Sequence, residues 1–364
     1  MRRLVIFLLA IAIFATAGRA EDILQQHIEM VGTEDLYDAV PKESKKLMDG
    51  ISVTDTGDFW GKAINIICSA LIDYESDLEK AWKMGAKILL AVIICSVSVL
   101  LTDDRTKKIC VLAGVFTICL LSAGDLENVI SLGTDTVEEL SVFSKMLIPA
   151  LTAASTASGT PTTAAAVCAG SIFFLQLLVS AVRKLLIPFV YCFLALHVVG
   201  HAMQQSGVIQ LGRTFGTVIK KGLRVLLFVF SGYLGLTRVI SGSADALAVK
   251  ALKMTVSSAV PVVGGMVADA SESVLLSAKM LRDSAGIFGM LGVLAVVIVP
   301  FLKLGVYYLV LQLSSFLSEM IGLKEHTGMI SAVSQTVGYL LAMVGCSGLM
   351  VLISCICFMK IIVV

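Results

Sequence analysis

Apolar residues occur along this chain in long blocks rather than in alternation, with short polar stretches between them. Blocks occur at 86–101, 109–123, 172–182, 185–199, 223–240, 287–299 and 301–317, and several approach the roughly 20 residues that a membrane helix needs. The last block, 336–364, reads as one long span or a span with a tail. Residues 125–145 place Leu126, Val129, Ile130, Val137, Leu140 and Phe143 on one face of an otherwise acidic helix, which predicts an interfacial helix. A second is predicted over 243–258, with Lys250 and Lys253 on its polar side. Near the start, Ile64, Ile67, Leu71, Tyr74, Leu78 and Trp82 share a helical face behind Asp58, a suitable N-cap. Nothing breaks that helix before Lys87, so it can run directly into the first span. Its apolar face either docks a partner or lies on the bilayer.

One pattern occurs twice. Pro149 follows Leu147-Ile148 and leads to Ile187-Pro188-Phe189; Pro261 follows Ala259-Val260 and leads, at the same spacing, to Val299-Pro300-Phe301. This spacing predicts an internal duplication of a membrane unit, with repeat units at about 109–222 and 223–364. Residues 152–166 are nearly all small, and Gly159-Thr160-Pro161 interrupts them. Small residues let helices approach closely, whereas a broken helix at membrane depth must line protein or water. The candidate break positions are Pro149, Gly159, Pro161, Pro261, Gly264 and Gly265.

Composition narrows the class. The 364 residues are 57% hydrophobic and 15% charged, with mean hydropathy +0.93, far from the quarter of charged residues usual in soluble domains. Continuous apolar runs argue against a β-barrel, whose strands alternate. The expected fold is therefore all-α: a polytopic helical membrane domain at 86–364, after a signal peptide at 1–20 and an extracytoplasmic helical segment at 21–85. Arg2 and Arg3 precede an apolar core and small residues, as in a secretory signal. A net charge of +1 makes no case for nucleic acid. Nine scattered cysteines form no CxxC pair or metal spacing. Cys355 and Cys357 would not face each other on one helix.

Topology follows the positive charges. Arg105, Lys107 and Lys108 assign the first loop to the cytoplasm, and Arg213, Lys220, Lys221 and Arg224 read as a second cytoplasmic loop. That assignment requires 149–182 to cross twice, as a hairpin of short helices, with Arg183-Lys184 outside and the two copies parallel. A single crossing reverses it.

Chemistry is sparse. Asp269 and Glu272 share a helical face, with Lys279 two turns beyond Glu272. They form a candidate polar lining, or they sit at the membrane surface. His197 and His201 lie one turn apart, but no third residue stands at zinc-ligand spacing, and interfacial histidines are the simpler reading. No phosphate loop, H-E-x-x-H or G-x-S-x-G motif occurs. The chain is expected not to be an enzyme and to need no cofactor or metal. Any ATP-driven step would belong to a separate subunit, with Arg213, Lys220, Lys221 and Arg224 as its candidate contact or simply a topology signal.

The run from Ser258 to Ala270, Ser-Ala-Val-Pro-Val-Val-Gly-Gly-Met-Val-Ala-Asp-Ala, resembles the stage III sporulation protein AE family. So do Ser231-Gly232-Tyr233-Leu234-Gly235 and the small-residue stretch after Pro149. The resemblance covers essentially the whole chain and is least specific over 21–85. It implies a multi-pass protein of the mother-cell membrane around the forespore. The implied setting is a channel or feeding-tube complex needed for late forespore gene expression. Implied partners are other stage III sporulation A proteins, including a cytoplasmic ATPase and ring-forming subunits. The family brings no catalytic residues. The expected role is a permease-like membrane component of that complex; the alternatives are a non-conducting scaffold of the same complex and, independently of the resemblance, a secondary transporter of a small solute.

Overall fold

The computed structural model describes residues 37, 40–51, 59–72, 75–259, 264–321 and 324–360, with the side chains of 42–43, 72, 75–77, 100, 104–105, 249, 252–259 and 264–274 excepted. The expected signal segment, Asp58, Tyr74 and Pro261 lie outside these residues. A short helix, Lys42–Lys45, and a 3₁₀ turn, Lys46–Met48, precede α1 (Phe59–Ile72) and α2 (Glu75–Leu100). Then come α3 (Asp104–Ala157), α4 (Pro161–Ala181), α5 (Ile187–Ala202), α6 (Ser206–Ala259), α7 (Gly264–Ile321) and α8 (Lys324–Met359). No strand occurs among the described residues, so the fold is all-α as expected. Among the described residues, six helical stretches are long and apolar enough to cross a membrane: Leu78–Val99, Thr106–Ala157, Pro161–Ala202, Ser206–Ala248, Leu275–Ile321 and Lys324–Met359.

The final helix is the centre of the bundle. It packs against α3, α4, α5, α6 and α7, and Met329, Val333, Leu340, Val344, Val351 and Phe358 along it are buried. Two ends can be distinguished by contact. At one, His201 at the end of α5 meets Glu325 in the first turn of α8, and His326 reaches Val111 near the start of α3. At the other, Arg282 of α7 reaches Ser158, just beyond α3, and Met359 at the end of α8.

Helices run through several positions where the sequence pattern predicts breaks. Pro149 is inside α3, not at a break. Its ring removes one backbone donor, a loss that neighbouring helices can absorb in a membrane protein. Residues 125–145 are the middle of α3 rather than a separate interfacial helix, and their predicted apolar stripe is largely buried: Leu126, Val129, Ile130, Val137, Leu140 and Phe143. The expected spans 172–182 and 185–199 form one path, because Val182–Leu186 is a π-turn joining α4 to α5. The Ile187 N–H bonds back to the Val182 carbonyl, five residues away. This wider turn directly precedes Pro188, which has no N–H to give, so the helix bulges instead of ending. Arg183 and Lys184 therefore form no loop. Likewise 287–299 and 301–317 are one helix, α7, with Pro300 inside it.

The basic segment is corrected in the same way. Arg213, Lys220, Lys221 and Arg224 lie on α6, which has no loop between Ser206 and Ala259. The boundary between 222 and 223 falls within that helix. The helices α3 and α6 are each 54 residues long. Near the N-terminus the amphipathic segment falls on two helices, Phe59–Ile72 and Glu75–Leu100, and the second runs directly into the first span. Its stripe faces outward: Ile64, Leu71, Leu78 and Trp82 are exposed, while Ala63, Ile66, Ala70, Ala81 and Met84 face the bundle.

Candidate functional site

The break at Gly159-Thr160-Pro161 is present, and it is the most heavily hydrogen-bonded turn in the bundle. Gly159 has φ +89°, a left-handed conformation that glycine adopts without penalty. Pro161 starts α4, where its missing N–H costs nothing. The Ser155 carbonyl accepts from the Thr160 N–H at 3.2 Å and from the hydroxyls of Ser158 and Thr160, each at 2.8 Å.

Two charged side chains from distant helices hold this turn. Asp245 of α6, 1% exposed, accepts from the backbone N–H groups of Thr162 (3.0 Å) and Thr163 (2.8 Å), and from the Thr163 hydroxyl (2.5 Å). It caps α4 as a local N-cap residue would, satisfying orphan donors and placing negative charge at the positive end of the helix dipole. Arg282 of α7, also 1% exposed, donates to Ser158 Oγ at 3.4 Å, to the Met359 carbonyl at 3.2 Å and to the neighbouring Asp283 at 3.1 Å. Arg238 of α6 donates to the Lys360 carbonyl at 2.8 Å. Two guanidinium groups thus meet the negative C-terminal end of α8. The hydroxyl of Ser155, at the centre of this cluster, is buried without a hydrogen-bond partner.

Below the cluster the packing is close. Ser354 of α8 bonds Ser171 of α4 at 2.9 Å. Tyr233 of α6 lies flat over Gly170, where any Cβ would overlap its ring, and its hydroxyl donates to the Ala166 carbonyl at 3.0 Å. Ala154 is 1% exposed. Of the two readings of the small-residue stretch, tight packing describes these contacts within a single chain.

The opposite end carries a second polar cluster. His197, His201 and His326 are buried. Each is seated on a glycine of a neighbouring helix: His197 on Gly212, His201 on Gly328 and His326 on Gly114, with no room for a Cβ at any of the three. His201 Nδ1 lies 2.9 Å from Glu325 Oε2, and His197 Nδ1 donates to the Phe193 carbonyl at 2.8 Å. The His197 and His201 rings are 6.0 Å apart, and among the described residues no group of three or more His, Cys, Asp or Glu could hold a metal. All three histidines are buried in the packing between helices. Gly114→Ala is expected to lower thermal stability by about 1–3 kcal/mol, the cost of overpacking. His326→Ala in the same chain should recover part of it. A double variant as unstable as the sum of the two single ones would mean that the glycine does not seat the ring.

The other positions singled out by sequence fall elsewhere. Gly264 and Gly265 open α7, and Asp269 and Glu272 lie on its first turns, outside the residues whose side chains are described. Lys279 is exposed. Arg213, Lys220, Lys221 and Arg224 are exposed along α6, with Lys220 Nζ over the Tyr339 ring at 5.4 Å from its centroid. Pattern reading did not single out Asp245, Glu325 or His326, and it passed over Arg282 as one charge among several. Their partners lie 77 to 215 residues away or on another helix, beyond any local spacing rule.

Comparison with known proteins gives a consistent picture. The model of the family "stage III sporulation protein AE" matches residues 44–361. The chain is 21% identical over 381 aligned positions to stage III sporulation protein AE of Bacillus subtilis (strain 168), covering 96% of this chain and 95% of that protein. No solved structure matches the chain.

Proposed function

Because this chain belongs to the stage III sporulation protein AE family, we propose that it is a permease-like membrane component of the channel complex between mother cell and forespore. It is a sporulation membrane protein with six helices of membrane-spanning length, and the finer assignment is the mother-cell membrane around the forespore. Its proposed partners are other stage III sporulation A proteins, including a separate cytoplasmic ATPase and ring-forming subunits. In this reading the chain itself catalyses nothing. The observation that best supports it is the broken element at Gly159: a turn between two long apolar helices, held by buried charges from two others.

A second reading has its own observation. The interior is closely packed around Ala154, and the exposed surface is rich in apolar residues such as Phe228, Leu236, Val239 and Ile240. Those features suit a scaffold that organises other subunits and conducts nothing.

One experiment separates the two. Full-length chain with its native cysteines replaced and one cysteine at Ala154 is expressed in sporulating cells, where it must support spore formation. Labelling of that cysteine by a small polar thiol reagent, in the assembled complex, is the result expected for the permease. Protection of Ala154→Cys in a complex that still co-purifies an ATPase would assign the chain to the scaffold. Failure to recover any other sporulation protein with it would reject both.

A further inference from the structure

The exposed basic face of α6 lies within a helical stretch, Ser206–Ala248, long and apolar enough to cross a membrane. Arg213, Thr217, Lys220 and Arg224 fall at spacings of four, three and four on one side of the helix, with Lys221 beside them. All five are exposed, and among the described residues Arg213, Lys221 and Arg224 have no ion-pair partner. This stretch runs alongside α5, an apolar span: Ile209 packs on Gly200, the seat of His197 is Gly212, and the Phe215 and Phe189 rings are 5.2 Å apart. The charges therefore share their depth with exposed Tyr191 and Val199.

A face of opposite sign lies at the same height on another side of the bundle. On α3, Glu127 and Asp135 are exposed, and Glu138 pairs with Arg183. Asp135 accepts a hydrogen bond from Ser131 at 2.9 Å. The common height is set by the central helix: Leu340 rests on Gly133 of α3, while its neighbour Tyr339 rests on Gly216 of α6 and lies beneath Lys220. A cleft of about 310 Å³ lined by Glu127, Tyr191 and Leu194 puts the acidic face level with α5 as well. Both α5 and α8 stand between α3 and α6, since each packs against both, so the two faces do not neutralise each other within one chain.

We propose that copies of this chain associate side by side in the membrane, the basic α6 face of one against the acidic α3 face of the next. Copies in one bilayer share orientation and depth, so only faces charged at equal height can meet. The contact is heterologous, and repeated around an axis along the membrane normal it generates a ring if the rotation closes. It does not depend on whether the complex conducts.

The test uses full-length chain in mild detergent, with mass measured by light scattering after subtracting the detergent. Wild type should be oligomeric. Lys220→Glu with Arg224→Glu cancels the net positive charge of the α6 face and sets carboxylates against carboxylates at its centre, and Glu127→Lys with Asp135→Lys sets cations against cations. Each double variant should shift half-assembly to a concentration about tenfold or more higher, because like charges then oppose. Mixing the two should restore the oligomer, and so should all four substitutions in one chain. A monomeric wild type would overturn the proposal. Reversals without effect would also overturn it, as would an acidic variant that dissociates and is not rescued by the basic one. The last result would give the α6 face to a different partner.

Discussion

Replacing Arg282 by alanine is expected to cost about 3–5 kcal/mol, the range seen when one member of a buried charged network is removed. It is the largest fully buried side chain among the described residues. Removing it leaves a cavity, strips Ser158 of one donor and withdraws a positive group from the Met359 carbonyl at the end of α8. Arg282→Lys keeps the charge but not the planar fork that spans both partners, so its loss should be intermediate. Thermal denaturation of the purified protein in detergent measures both. A melting temperature for Arg282→Ala equal to that of wild type would show that the turn and the end of α8 are held by other contacts.

Asp245→Ala should be the next most damaging change, at about 2–4 kcal/mol, because a buried cap is lost and two N–H groups and a hydroxyl are left unpaired. Asp245→Asn retains one carbonyl oxygen and should lose roughly half as much. Since Asp245 and Arg282 hold opposite sides of the turn at Ser158–Thr163, the double variant should be less destabilised than the sum of the single ones. Strict additivity would mean that the two residues act on separate structures. In sporulating cells the same variants should lower spore yield in the order of their stability losses. A stable Asp245→Asn protein with no spores would instead mark the carboxylate as part of the working path.

What could be read from sequence follows from which residues carry local information. Gly159 and Pro161 mark a true break because their backbone preferences are local. The break at 203–205 carries no such mark: Gln204 adopts φ +58° there, with the Gln205 N–H bonded to the Gly200 carbonyl, the helix-ending geometry that glycine usually supplies. Arg183-Lys184 resembled a turn because charged pairs commonly end spans, yet a π-turn and Pro188 carry the helix through it. Lys220 and Lys221 were read as a loop by the positive-inside rule, which presumes that clustered cations lie outside a helix. The apolar stripe over 126–143 correctly identified a helix face, because periodicity is local. It could not say that the helix continued for 54 residues, because continuation depends on the partners that bury it. Asp245, Arg282 and the glycines beneath the histidines act only through tertiary contact, so nothing in their own neighbourhood distinguished them.

The length of α3 and α6 has a consequence for how the protein is made. At 1.5 Å per residue, 54 residues extend about 80 Å, against a hydrocarbon core of about 30 Å. As each emerges from the ribosome, the insertion machinery meets a helix longer than one crossing needs, with no obligatory place to turn the chain within it. Helix α8, which packs against both, is synthesised after them. Final topology is then decided only when α8 enters the bundle and holds the earlier helices straight. A chain released before Lys324 would be left with both long helices uncommitted, a natural substrate for membrane quality control.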